Sequence, residues 1–128
     1  MDPLFLTLDE VLTLHEEQVR EFGGSAGIRD LGLLEWALGS VAATFGGEFL
    51  HASIFEMAAA HLFGICKNHP FIDGNKRTAT AAALVFLEIN GIEINAAEKD
   101  FYDLVIGTAE GRVSKAEIAV FLQRNAGR

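Results

Sequence analysis

The run His69-Pro70-Phe71-Ile72-Asp73-Gly74-Asn75-Lys76-Arg77 sets an imidazole, a carboxylate, an amide, an ammonium and a guanidinium side by side. A turn between two apolar segments needs little more than a Gly and an Asn, so the other groups call for a chemical reason. Each of them suits phosphorus. A helix starting at Asn75 leaves the N–H groups of Gly74, Asn75, Lys76 and Arg77 unpaired, and these converge on an anion with the helix dipole behind them. Gly74 has no Cβ, so backbone can approach a phosphate closely. Lys76 and Arg77 add full positive charges, and a guanidinium can grip phosphate oxygens in pairs. Asp73 is a hard oxygen donor beside that nest, the usual way Mg²⁺ is held next to nucleotide phosphates. His69 can take a proton from an attacking hydroxyl near neutral pH. The set fits in-line displacement at phosphorus, where positioning and charge neutralisation do most of the work. The plainer reading of Asp73 is a helix N-cap. For Lys76 it is a surface lysine at a helix start, a place the dipole disfavours.

Two helices must hold this loop. Ser53 and Glu56 form a capping box that opens one running to about Asn68, apolar nearly all round through Ile54, Phe55, Met57, Leu62, Phe63 and Ile65. The other runs from about Asn75 to Asn90 through Ala79, Leu84, Val85, Phe86, Leu87 and Ile89, and Gly91 ends it. Helices apolar on every face are central ones. Before them, Thr7 and Glu10 cap a helix over Leu8 to Phe22, with Leu8, Val11, Leu12, His15, Val19 and Phe22 on one face and Gly23-Gly24 as the stop. Ser25 to Asp30 is too short and glycine-rich for a helix and reads as an extended flap. Asp30 then caps a short helix through Leu33, Leu34 and Leu38, ending near Gly39. Ser40 to Leu50, with Gly46 and Gly47, reads as a loop. Glu98 to Glu110 and Ser114 to Asn125 read as two more helices, the latter opened by a Ser114–Glu117 capping box. Neither repeats nor linkers interrupt residues 1–128.

Bulk properties narrow the function. The chain of 128 residues is half hydrophobic and carries a formal net charge of -8, a poor match for general nucleic-acid binding, which needs basic surface. Lys67 to Arg77 is a local exception, with Lys67, Lys76 and Arg77 against a single acid, Asp73. One cysteine, Cys66, excludes an intrachain disulfide and reads as a buried small hydrophobe. The N-terminal residues lack the pattern of a signal peptide, and the apolar helices fall short of a membrane span. The expected location is the cytoplasm. His15 and His51 show no metal-ligand spacing. His61 reads as a core histidine, Trp36 and Phe45 as packed, and Glu16 and Glu17 as a solvated face.

The run from His69 to Arg77 resembles the signature of the Fic/Doc superfamily, roughly H-P-F-x-D/E-G-N-G/K-R, and matches every fixed position. Gly27 to Glu35 looks like the flap and following helix of the Doc branch, so the resemblance covers nearly the whole chain. It implies an all-α, compact, single-domain bundle of about six helices with a short flap. It also implies roles: His69 as the base, Asp73 as the Mg²⁺ ligand, and Gly74, Asn75 and Lys76 as the anion hole, with Lys76 and Arg77 on the phosphates of ATP. The flap residues Gly27, Ile28, Arg29 and Asp30 would hold a target segment by strand pairing. Typical Fic members have Gly where Lys76 stands, a second Arg where Thr80 stands, and transfer AMP. The lysine form is similar to Doc toxins, which implies a kinase that moves the γ-phosphoryl of ATP to a threonine of elongation factor Tu and stops translation. AMP transfer and a non-catalytic partner-binding role are the alternatives. Fic-type self-inhibition uses a Ser/Thr-x-x-x-Glu-Gly/Asn pattern. Thr13 to Glu17 and Thr44 to Glu48 begin it, but Gln18 and Phe49 follow. The resemblance therefore implies restraint by a Phd-like antitoxin in an apolar groove.

Overall fold

The computed structural model describes residues 2–127. Six helices dominate it: α1 (Leu8–Phe22), α2 (Leu31–Val41), α3 (Ile54–Asn68), α4 (Asn75–Ile89), α5 (Glu98–Ala109) and α6 (Lys115–Arg124). Three of the starts are local chemistry read directly from Ser/Thr-x-x-Glu spacing. Thr7, Ser53 and Ser114 each accept an N–H three residues on, while Glu10, Glu56 and Glu117 reach back to the cap backbone. Asp30 caps α2 through the N–H of Leu33.

α3 lies at the centre, packed on α2, α4, α5 and α6, and α1 lies against α4. Its small residues permit this. Ala58, Ala59 and Ala60 are buried, and Gly64 meets Ala37 of α2 so closely that a Cβ there would come within 3.1 Å of the alanine's own. α4 contributes Ala79, Ala82, Ala83, Phe86 and Leu87 to the same core. Apolar residues on nearly every side of α3 and α4 thus become the packing that fixes the loop between them.

Four strands of two residues each supplement the helices. β1 (Thr44–Phe45) pairs with β2 (Glu48–Phe49), and β3 (Glu93–Ile94) with β4 (Ala126–Gly127), both antiparallel. The first pair corrects the expected loop over Ser40 to Leu50. Gly46 and Gly47 both take positive φ, 60° and 85°, the combination a tight two-residue hairpin turn demands. α2 also runs past Gly39 to Val41. Trp36 and Phe45 do not pack as expected: they are 64% and 80% exposed. Among the described residues, no helix is long and apolar enough to cross a membrane.

Candidate active site

The loop between α3 and α4 is anchored by apolar burial and by hydrogen bonds to its backbone. Phe71 is buried, and hiding such a side chain stabilises by roughly 1.5–3 kcal/mol. That anchor lets the residues around it stand in solvent: the polar His69, Asp73, Lys76 and Arg77 are exposed, and so is the apolar Ile72. Asn75 is the second anchor. Its Oδ1 accepts the Phe71 N–H at 3.0 Å and its Nδ2 donates to the Phe71 carbonyl at 2.9 Å. The amide assigned to an anion hole therefore spends its Oδ1 and one Nδ2 hydrogen on the loop's own backbone, which leaves the Asn75 main-chain N–H as the group aligned with the helix end.

His69 ends α3 with left-handed backbone, φ 47° and ψ 57°, and its N–H bonds to the Ile65 carbonyl. It is the only non-glycine residue with positive φ among the described residues, a conformation costing about 1–2 kcal/mol. Its imidazole makes no hydrogen bond to protein among the described residues, so both ring nitrogens are open to a substrate.

Asp73 does not cap α4, contrary to the plainer reading of it. The N-cap is Gly74, at φ 77° and ψ 19°, with no side-chain cap. The Asp73 carboxylate instead takes the N–H of Ser25 on Oδ2 at 3.2 Å, leaving Oδ1 without a protein partner among the described residues. One free carboxylate oxygen is a fit for Mg²⁺, which keeps several waters and takes phosphate oxygens. The described residues hold no group of three or more His, Cys, Asp or Glu side chains that could cage a metal alone.

α4 is electrostatically unusual. Among the described residues, α1, α2, α3 and α6 have side-chain caps and α5 has Glu98 and Asp100 in its first turn. α4 has neither a cap nor an acid there; it has Lys76 and Arg77. The dipole disfavours cations at that end, so the N-terminus of α4 holds three like signs together and has room for an anion. The Arg77 guanidinium lies over the Phe22 ring at 4.0 Å, a cation–π contact that holds it beside the end of α1. Lys76 makes no side-chain hydrogen bond among the described residues.

The flap meets the loop edge to edge. Ile28 faces Phe71 in an antiparallel bridge, with Arg29 N–H donating to the Pro70 carbonyl at 2.7 Å and Ile72 N–H to the Gly27 carbonyl at 3.0 Å. A Cβ on Gly27 would come within 2.5 Å of Ile72 Cδ1, the free end of an exposed side chain that would have to swing aside. Because the bonds fall on Gly27 and Arg29, the N–H and C=O of Ile28 itself point to the opposite, open edge. Two flap side chains are already employed. Asp30 caps α2, and the Arg29 guanidinium donates to the carbonyls of His69 at 2.6 Å and Asn68 at 2.7 Å, closing the C-terminus of α3.

Sequence reasoning passed over His15. Its Nε2 lies 2.7 Å from the Asp73 carbonyl oxygen and its ring stacks on Phe71; its place on the apolar face of α1, among aliphatic neighbours, was the available signal. Two clefts, of about 500 and 310 Å³, lie away from the loop, one lined by Trp36, His51 and Lys115 and the other by Leu6, Glu10 and Val85. The loop stands on open surface, accessible to a macromolecule. Cys66 is fully buried, and desolvation pushes its thiol up to about 11, which keeps it protonated and unreactive.

The Fic/DOC family model matches residues 5–87. The chain is 34% identical over 116 residues to Protein kinase doc of Escherichia phage P1, covering 91% of this chain and 90% of that protein. It is 45% identical over 75 residues to Toxin Doc of Mycolicibacterium smegmatis, covering 59% of this chain and 58% of that one.

Proposed function

The chain belongs to the Fic/Doc family, and from that premise we propose that it is a Doc-like protein kinase that transfers the γ-phosphoryl group of ATP to a threonine hydroxyl of elongation factor Tu. Translation stops as a result, and a Phd-like antitoxin restrains the toxin in the cytoplasm. The observation that carries this reading is the α4 N-terminus, uncapped, without an acid in its first turn and carrying Lys76 and Arg77 there. Such an end stabilises the negative charge of a triphosphate where it is greatest. Lysine at position 76 and Thr80 in place of a second arginine favour γ-phosphoryl over AMP transfer.

The residues act in sequence. The target segment adds to the open edge of the flap through the outward N–H and C=O of Ile28. That docking brings its hydroxyl to His69, whose free imidazole takes the proton. The hydroxyl oxygen bonds to the γ-phosphorus as the bond from that phosphorus to the β-bridging oxygen breaks, and ADP leaves. The N–H groups of Gly74, Asn75 and Lys76, with the Lys76 and Arg77 side chains, hold the phosphate oxygens throughout. Mg²⁺ held by Asp73 and the nucleotide would add charge neutralisation on the phosphates.

Purified protein incubated with Mg²⁺, elongation factor Tu and either γ- or α-labelled ATP tests the reading. Label on the target from the γ position alone is expected. Label from the α position, or a target left unlabelled while another protein takes AMP, overturns it. Co-expression of the antitoxin should relieve growth arrest.

A further inference from the structure

His15 lies in the middle of α1, only 3% exposed, in a helix whose outer face is acidic. Its ring is stacked on Phe71 with centroids 3.8 Å apart and planes 7° from parallel. Its Nε2 is 2.7 Å from the Asp73 carbonyl oxygen. A carbonyl only accepts, so Nε2 carries the proton and donates. Gly74 also rests on this ring: a Cβ there would lie 3.6 Å from His15 Cδ2 and Nε2.

The consequence follows from peptide geometry. The Asp73 carbonyl and the Gly74 N–H belong to one planar trans unit and point in opposite directions. A carbonyl drawn inward to His15 turns the Gly74 N–H away from α1, to the open side. Gly74 sits at φ 77° and, as glycine, accepts negative φ almost as readily. Local backbone preference therefore does not stop this peptide from turning over, and the histidine bond does. We propose that His15 is a positioning residue that locks the Asp73–Gly74 peptide, so that the first N–H of the α4 nest faces the phosphate and the Asp73 carboxylate keeps its place beside it. The inference rests on the phosphate reading of the site given above.

Two substitutions separate the bond from the packing. His15→Phe keeps a flat ring against Phe71 and removes the donor. His15→Gln keeps an amide nitrogen at the same distance along the side chain as Nε2 and removes the ring. Loss of one hydrogen bond at this position is expected to weaken MgADP binding, measured by calorimetry, about tenfold in the Phe variant. kcat should fall by a similar factor with KM for the protein target unchanged, and His15→Gln should recover most of both. A packing role gives the reverse order, with Phe near wild type and Gln impaired, and overturns the proposal. The Gly74 amide resonance of nucleotide-free protein reads the lock without any chemistry. It should move in the Phe variant and return in the Gln variant, and an unmoved resonance overturns the lock. Should wild type bind no MgADP, the phosphate reading fails, and that resonance still decides the lock. If His15→Phe does not fold, His15→Asn, an amide one bond too short, replaces it: behaviour equal to Gln overturns the proposal.

Discussion

At the scale of single residues, His69 shows chemistry and stability in opposition. Its backbone is left-handed, at φ 47° and ψ 57°, in the position after a helix where glycine is usual. The side chain is exposed and unpaired among the described residues, so folding gains little from it. Replacing it by glycine removes the steric penalty of about 1–2 kcal/mol, less the roughly 0.5–1 kcal/mol of extra chain entropy a glycine gives up. His69→Gly is therefore expected to be as stable as wild type or up to about 1.5 kcal/mol more so in urea unfolding. Phosphoryl transfer should meanwhile drop by about 10²–10⁴-fold with the loss of a general base. A variant that is both inactive and clearly less stable would show that the ring supports the fold rather than the reaction. The Arg29 bonds to the carbonyls of Asn68 and His69 involve backbone alone on the α3 side, so the substitution leaves them in place.

Among the elements, the flap has one edge occupied and one open. Its inner edge is bonded through Arg29 N–H and the Gly27 carbonyl, while Ile28 N–H and C=O face outward. Ile28→Pro removes the outward donor and leaves the bonded Gly27 carbonyl and Arg29 N–H in place, and proline's preference for extended backbone suits the flap, so the bridge to Phe71 should persist. KM for the protein target is expected to rise about tenfold, the value of roughly one hydrogen bond, while MgADP affinity stays the same. Equal losses in both would mean that the substitution disturbs the loop instead. The elements that could be read in advance were those with local signals: capping pairs at Thr7, Ser53 and Ser114, the Asp30 cap, and the continuous apolar character of α3 and α4. The hairpin at Gly46-Gly47 was missed because two residues a side carry no periodicity, although paired glycines with positive φ define that turn. β3 and β4 join residues from opposite ends of the last third of the chain, a pairing no local pattern announces. The loop stood out as the candidate site because so many functional types crowd one turn. Which of them face a ligand was not legible. Asn75 and Arg29 turned inward to backbone carbonyls and amides, and His15 arrived from a helix far away in sequence.

For the molecule as a whole, net charge alone, -8, predicts a gain in mild acid as repulsion is relieved. The core predicts the opposite between pH 7 and 5. His61 is 2% exposed in α3, its Nδ1 2.9 Å from the Met57 carbonyl and its ring 4.7 Å from that of Phe86. Burial lowers its pKa to about 4, with nearby His51 pushing the same way and the Met57 bond opposing. A depressed histidine pKa means that, between about 4 and the ordinary 6.5, the unfolded chain binds a proton the folded chain refuses. Stability therefore rises with pH through this window, is complete above 6.5, and is lost on acidification. The full difference is on the order of 3 kcal/mol, of which about 2 kcal/mol is gone by pH 5. Carboxylates with ordinary values near 4 relieve repulsion mostly below that, so the histidine decides the sign. His51, also lowered by desolvation and then by Lys115, adds a smaller loss in the same direction. Urea midpoints at pH 7 and 5 should thus fall clearly in wild type and much less in His61→Leu, which keeps an apolar side chain against Phe86 and cannot titrate. Equal falls in the two proteins would assign the acid sensitivity to surface charge and remove His61 from the account.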